Sequence, residues 1–400
     1  MFEHVEAYPG DPILTLNEAF GQDPRPEKIN LSIGIYFDDA GHLPVMRAVR
    51  EAEAQIAPTL GARPYLPMEG LAPYRQAVQA LLWGAGHEAV TSGRIATIQT
   101  IGGSGGLKVG SDFLKRYFPQ SEVWVSDPTW DNHRAMFEGA GLKVHTYPYY
   151  DPLTGGLRFE EMLATFKGLP ERSIVLLHAC CHNPTGVDLS AAQWNALIPV
   201  IQSRRLIPYL DIAYQGFGDG LEQDAHALRT LTDAGISFFC ANSFSKSFSL
   251  YGERVGGLSV VCPDAAQAAR VLGQLKATIR KNYSSPPTYG ARVVAQVLQS
   301  PELRALWAGE LDTMRQRIRL MRQRLADGLG QALPGHDVSR FVNQRGMFSY
   351  TGLSESQVDT LRHSHAVYLV RSGRMCVAGL NAGNVDKVTQ SLAAVIRDAT

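Results

Sequence analysis

The chain is 400 residues long with 38 Lys+Arg balanced by 38 Asp+Glu, so no net charge invites nucleic acid or an anionic membrane surface. That length accommodates a large domain and a smaller one, and the neutral balance favours a small-molecule partner. Five cysteines (Cys180, Cys181, Cys240, Cys262, Cys376) lie mostly in apolar runs, the usage of reduced thiols in a cytoplasmic protein, and the Cys180-Cys181-His182 run lacks ligand spacing, so no metal is expected.

In chain order, the first segment is acidic and broken by proline, unlike a signal or transit peptide, and it reads as an irregular arm to about Lys28 that lies across a neighbouring subunit or stays disordered. No apolar stretch is long enough to span a bilayer. Ile29 to Phe37 is strand-like, with Gly34 placed where backbone can approach a ligand. Tyr65 to Gly70 is a loop, and a helix runs from Pro73 towards Trp83.

From Ile95 strands alternate with helices, the signature of a parallel sheet with crossover helices. Ile95 to Ile101 is the first strand, Gly102 to Gly106 a tight turn, and Leu107 to Tyr117 a helix. A glycine turn opening a helix presents free backbone N–H groups to an anion, although this one matches neither the Walker nor the dinucleotide pattern. Glu122 to Ser126 is the next strand, with Asp127-Pro-Thr-Trp-Asp-Asn-His133 at its exit. Trp130 there could stack on a flat ring or simply pack in the core. Ser173 to Cys180 is near-continuously apolar, as buried parallel strands are, and delivers Asn183 before Pro184, biased towards extended geometry. His178, inside that strand, is expected to be a satisfied core histidine.

Leu206 to Phe217 ends an apolar strand on Asp211, where a buried carboxylate needs a cationic partner. A protonated pyridine nitrogen would serve, as would an arginine; Tyr214 could donate to a ring phenolate oxygen. Ile236 to Cys240 is a short buried strand leading into Ala241-Asn-Ser-Phe-Ser-Lys-Ser-Phe-Ser-Leu-Tyr-Gly-Glu-Arg-Val-Gly-Gly257. Lys246, among serines and aromatics, suits an amine that condenses with a carbonyl, while Ser243, Ser245 and Arg254 offer donors to a phosphate. Together they point to a pyridoxal phosphate lysine, with a loop lysine and capping serines as the bland alternative.

Beyond Val260 the chain turns helical over 265–281 and 301–331. The arginines at 315, 317, 319, 322 and 324 in the second helix are expected on its solvated face. Arg280 to Pro287 is a loop signal, Ala366 to Val370 a strand, and a helix closes the chain.

Taken together, Ser126-Asp-Pro-Thr-Trp130, Cys180-Cys-His-Asn-Pro-Thr-Gly186, Asp211-Ile-Ala-Tyr-Gln-Gly-Phe217, Ser243-Phe-Ser-Lys246, Tyr251-Gly-Glu-Arg-Val-Gly256, Arg280-Lys-Asn-Tyr-Ser-Ser-Pro-Pro287 and Ser372-Gly-Arg374 occur in the order found in one family. The whole chain resembles the aspartate/aromatic aminotransferases of the fold-type I pyridoxal phosphate enzymes. The resemblance implies an α/β fold with a mostly parallel, helix-flanked sheet in a large domain at 45–310. A smaller α+β domain would draw on both chain ends, with 1–44 forming an arm and part of it and 311–400 the rest, including a long interdomain helix.

By the same resemblance Lys246 is the Schiff-base lysine and proton carrier, Asp211 pairs with the pyridine nitrogen, and Asn183 and Tyr214 bind the phenolate oxygen. Trp130 stacks on the ring. Gly103, Ser104, Ser243 and Arg254 hold the phosphate, with Tyr65 reaching it from a partner subunit. Arg374 takes the substrate α-carboxylate and Arg280 of the partner subunit a side-chain carboxylate, so the implied assembly is a homodimer with shared active sites. Substrates would be an amino acid and a 2-oxo acid, exchanged in ping-pong fashion through pyridoxamine phosphate.

Around the substrate, aspartate-restricted relatives usually place a lysine, a threonine and asparagines. The matching positions here are Ile35, Phe37, Leu43, Pro64, Ser104 and Ser285, beside Gly34, and they are small or apolar. The expected activity is therefore transamination of tyrosine, phenylalanine and related aromatic amino acids with 2-oxoglutarate, keeping some aspartate activity through Arg280. Plain aspartate aminotransferase is the alternative.

Overall fold

Seven strands of largely apolar sequence form the central sheet in the computed structural model, which describes residues 1–8 and 10–398. In chain order they are β1 (Ile95–Ile101), β2 (Val123–Asp127), β3 (Val144–Pro148), β4 (Ile174–His178), β5 (Ile207–Ile212), β6 (Phe238–Ser243) and β7 (Val255–Val261), arranged β1-β7-β6-β5-β4-β2-β3. β7 runs antiparallel to both β1 and β6, and the pairs from β6 through β5, β4 and β2 to β3 are parallel. Every residue of β4, β6 and β7 is buried, as a sheet covered on both faces requires.

The sheet belongs to the central unit, Pro44–Gln316; Met1–Leu43 with Arg317–Thr400 forms a second, terminal unit, and the boundary falls inside the long helix Pro301–Ala332. Among the described residues no helix is long and apolar enough to cross a membrane.

The sharpest local departure from the sequence reading is at 102–106. No turn precedes a later helix: helix α1 (Gly102–Tyr117) starts at once, with Gly102 at φ +65°. Glycine is a poor helix former, but here close approach to the sheet outweighs propensity. A Cβ at Gly106 would lie 2.8 Å from the carbonyl oxygen of Gly257, and one at Gly110 would lie 2.1 Å from the Tyr209 hydroxyl. That hydroxyl donates to the Gly106 carbonyl at 2.9 Å, pinning α1 onto β5.

The terminal unit corrects further expectations. The arm before Lys28 contains a helix, Pro12–Gln22, whose first amides at Ile13 and Leu14 are each capped by Asp11 at 2.9 Å. Of Ile29 to Phe37 only Ile29–Asn30 is a strand, paired in parallel with Val367–Tyr368. The strand expected over 366–370 shrinks to those two residues because Ala366, at φ +56°, ends helix Glu355–His365. A second small sheet pairs Phe348–Tyr350 antiparallel with Arg374–Cys376. Arg322, expected on a solvated helix face, is only 3% exposed.

Candidate active site

In the central unit, parallel strands β4, β5 and β6 send their C-terminal loops to one sheet edge, where open α/β sheets bind ligands. Asp211, near the end of β5, is buried, and its Oδ2 lies 2.9 Å from His133 Nε2. His133 stands on helix α2 (Asp131–Glu138) and turns its Nδ1 to the Thr129 hydroxyl at 2.9 Å. Burial pushes the Asp211 carboxyl up, but the hydrogen bond and charge of His133, with Lys246 beyond, outweigh it and hold the group below the ordinary carboxylate value. The partner expected for Asp211 was a pyridinium or an arginine; within the protein it is this histidine.

Lys246 sits half-buried on the turn after β6, its Nζ 5.1 Å from the ring centroid of Tyr214. Asn183 and Tyr214 are both buried. Two carboxylates fix the loops that carry them. Asp188 accepts the Cys181 and His182 amides at 2.7 Å each, and Asp224 accepts those of Gly216, Gly218 and Asp219 at 2.7, 3.0 and 2.8 Å. Trp130 caps α2 and meets His133 edge to face at 5.2 Å, packing partly against the core.

An anion cradle forms where α1 begins. A Cβ on Gly103 would press on Ser243 Cβ at 3.2 Å, and one on Gly102 would lie 2.6 Å from Arg254 Nη2. Arg254, in the left-handed conformation, also reaches Ser245 Oγ at 3.4 Å and the Tyr251 carbonyl at 2.8 Å. Ser104 is half-buried in the first turn of the helix. A guanidinium, hydroxyls and the first-turn amides beyond Gly102, whose own N–H donates to the Arg254 carbonyl at 2.9 Å, converge, which suits a phosphate.

Behind Asp211 lie two more histidines. His182 Nε2 is 2.8 Å from Ser126 Oγ, which itself donates to the Pro128 carbonyl, so the ring must donate there and accept from Thr185 through Nδ1 at 2.8 Å. His178 differs from the expected satisfied core histidine: neither ring nitrogen meets a partner among the described residues. Burial and the neighbouring His133 hold it neutral, its pKa lowered to about 3. His133, His178 and Asp211 offer ligand atoms within 4.8 Å of one another, as do Cys180, Cys181 and Asp224, but the Asp224 carboxylate is taken up by its three backbone amides.

In the terminal unit Arg374 is 5% exposed and donates from Nη2 to the Ser32 carbonyl at 2.8 Å, its guanidinium 4.5 Å from the Phe348 ring centroid. The segment carrying Gly34, Ile35 and Phe37 runs alongside: Cys376 N donates to the Leu31 carbonyl at 2.7 Å, and Phe37 N to that of Ala378 at 3.2 Å. A Cβ at Gly34 would meet Phe348 Cζ at 2.9 Å, while Leu43 is 42% exposed.

Tyr65 is 93% exposed. Arg280 is exposed on the last turn of helix Ala265–Asn282, bonded to Ser284, and Ser285 beyond it is half-buried. The sequence reading missed His133, Phe348 and Arg322. The first had one local signal, the Thr129 to His133 spacing of four at a helix start; Arg322 had its place four after Ile318 and three before Leu325 on the apolar face of its helix, and Phe348 had none.

The sequence profile of the family Aminotransferase class I and II matches residues 26–392. A tyrosine aminotransferase of Klebsiella pneumoniae is 60% identical over 99% of this chain and 100% of its own. Two solved structures are similar throughout. An aromatic amino acid aminotransferase from Burkholderia cenocepacia is 63% identical with a TM-score of 0.96, covering 100% of this chain and 99% of that one. An aromatic-amino-acid aminotransferase from Burkholderia pseudomallei, covalently bound to pyridoxal phosphate, is 52% identical with a TM-score of 0.97, covering 99% of each chain.

Proposed function

The chain belongs to the class I and II aminotransferases, and from that premise we propose that it transaminates aromatic amino acids with pyridoxal phosphate, using 2-oxoglutarate as amino acceptor and keeping some aspartate activity. The observation that carries the reading is Asp211, a buried carboxylate held ionised by His133 within the field of the Lys246 amine. The residues suit the cofactor: an anion cradle at the start of α1, an amine, a carboxylate for a ring nitrogen, and donors in Asn183 and Tyr214. We assign Lys246 to its aldehyde, Asp211 to the pyridine nitrogen, Asn183 and Tyr214 to the phenolate oxygen, Trp130 to the ring face, and Gly103, Ser104, Ser243 and Arg254 to the phosphate.

When bound, pyridoxal phosphate supplies an aldehyde that captures amines and a protonated ring that draws electrons from the substrate α-carbon. The protein's part is proton and position. Asp211, backed by His133 and Thr129, keeps a proton at the ring nitrogen, because a carboxylate with a lowered pKa stays an acceptor. Lys246 moves the proton at the substrate α-carbon. Arg374 grips the α-carboxylate with its planar fork, whose paired N–H donors match the two oxygens, and so supplies binding.

For the side chain, Ile35, Phe37 and Leu43 in the terminal unit and Pro64 and Ser285 in the central unit are assigned to the substrate, with Gly34 leaving room. An apolar lining stabilises a buried aromatic group by roughly 1.5 to 3 kcal/mol relative to exposure. Tyr65 and Arg280 are assigned to the active site of a second copy, which makes the working form a homodimer. The 93% exposure of Tyr65 leaves its ring available to a partner subunit. Five buried free cysteines support a reducing, cytoplasmic setting.

Turnover of tyrosine, phenylalanine and aspartate under one condition tests the substrate reading. We expect the aromatic substrates to match or exceed aspartate in kcat/KM. Aspartate favoured by about a hundredfold or more, roughly 2.7 kcal/mol, would make the protein an aspartate aminotransferase instead.

A further inference from the structure

The strand Phe348–Tyr350 pairs on one side with Arg374–Cys376, and its outer edge is closed by two side chains. The Gln344 amide accepts from Tyr350 N at 3.1 Å and donates to the Tyr350 carbonyl at 3.3 Å. Arg322, from the long helix, donates through Nη2 to the carbonyl of Phe348 and, at 2.9 Å, to that of Gly346. Its Nη1 donates to the Phe341 carbonyl at 3.0 Å and to Ser349 Oγ at 3.3 Å. Both Gln344 and Arg322 are nearly fully buried.

The register sorts the side chains by face. Arg374 is opposite Tyr350, and Cys376 is opposite Phe348, so Arg374 and Phe348 are diagonal neighbours on one face. Met375 and Ser349 share the other, where Arg322 reaches Ser349. Two arginines therefore grip one minimal sheet from opposite faces. A two-stranded sheet of three-residue strands is marginal by itself, and a buried guanidinium is costly unless its donors are used. Arg322 directs its two Nη groups to Ser349 Oγ and to the backbone that aims the Phe348 ring, and that ring supports the Arg374 guanidinium at 4.5 Å.

We propose that Arg322 is a positioning residue for substrate-carboxylate binding, acting through the carbonyl and ring of Phe348 to set the orientation of Arg374. The inference rests on the assignment of Arg374 to the α-carboxylate and adds to it the residue that makes the fork rigid. Arg322 touches neither substrate nor cofactor, so it governs how well a carboxylate is held and leaves the proton chemistry alone.

The test uses holoenzyme carrying Arg322→Met, Arg322→Lys, Phe348→Leu or Arg374→Lys. Each is assayed for kcat and KM with phenylalanine and for the Kd of 3-phenylpropionate, a carboxylate without an amine, with the cofactor's visible absorbance as a check on the central unit. We expect Arg322→Met to raise KM and Kd about five- to tenfold, with kcat within about twofold of the parent and the absorbance unchanged. Arg322→Lys, which can still reach a carbonyl, should fall between the two.

Unchanged KM and Kd in Arg322→Met would overturn the proposal. If that variant fails to fold, Phe348→Leu decides: the same rise in KM and Kd sustains the proposal and parental values reject it. Arg374→Lys separates the two layers. Should it leave Kd untouched, the carboxylate assignment itself fails; should it raise Kd while Arg322→Met and Phe348→Leu do not, only the positioning role of Arg322 is lost.

Discussion

Asp211 and Arg374 are both buried charges at the heart of the proposed chemistry, yet they are held in opposite ways. Asp211 stands on a strand paired on both sides, opposite His178 of β4 and Ala241 of β6, so its backbone is fixed by the sheet and one side chain, His133, suffices to fix the carboxylate. Arg374 begins a three-residue strand with one strand partner, Phe348–Tyr350, and it is that partner's outer edge that side chains close. The difference teaches where change is tolerable. Proton transfer is assigned to the part of the fold that cannot shift, and substrate recognition to a part whose aim a single buried residue can adjust.

The strongest way to break this contrast is at Lys246. Lys246→Ala should lower kcat by about 10⁴-fold or more while leaving the thermal midpoint near the parent value, because the residue is half-buried and carries chemistry more than packing. Steady-state rates and a melting curve check it; substantial residual turnover would remove the central frame's claim to the proton step. Next in size is Asp211→Asn, expected to cost about 10² to 10³ in kcat with little change in KM for phenylalanine. A KM that rises as steeply as kcat falls would show the two regions to be less separable than their architectures imply.

The smallest effect sharpens the comparison by giving the central frame a pH limit. His178 has its pKa lowered to about 3 from an ordinary 6.5, so the folded state stays neutral where the unfolded chain takes up a proton. Stability attributable to this residue is complete above about pH 6.5 and falls as the pH drops towards about 3, by about 2 kcal/mol at pH 5. His178→Gln should flatten that part of the curve of midpoint denaturant concentration against pH. An unaltered slope would mean that the histidine is not a source of acid sensitivity.

Five central strands, β1, β2, β4, β5 and β6, were legible as apolar runs, whereas β3, partly exposed, and β7, which opens Val-Gly-Gly, went unread; the burial of Asp211 was legible because a charge at the end of such a run demands a partner. Helix α1 was misread at its start because glycine has low helix propensity, while the requirement it meets, contact with Gly257 and Tyr209, lies far away in sequence. The Pro12–Gln22 helix carried its own signal, a capping Asp11 followed by proline, and its proline was counted as a breaker. His133 was out of reach because it pairs with a residue 78 positions away, whereas Arg322, four after Ile318 and three before Leu325 on the helix's apolar stripe, was misread with the exposed and half-buried arginines around it.

The insertion of antiparallel β7 between β1 and β6 has a consequence for biosynthesis. On the ribosome, Ile95–Ile101 emerges long before Val255–Val261, the one strand it pairs with among the described residues, and at ordinary elongation rates it waits on the order of ten seconds or more with its edge open. Nascent chains arrested before Val261 should therefore be chaperone clients and sensitive to protease, and resistance should arrive abruptly once that last strand clears the exit tunnel.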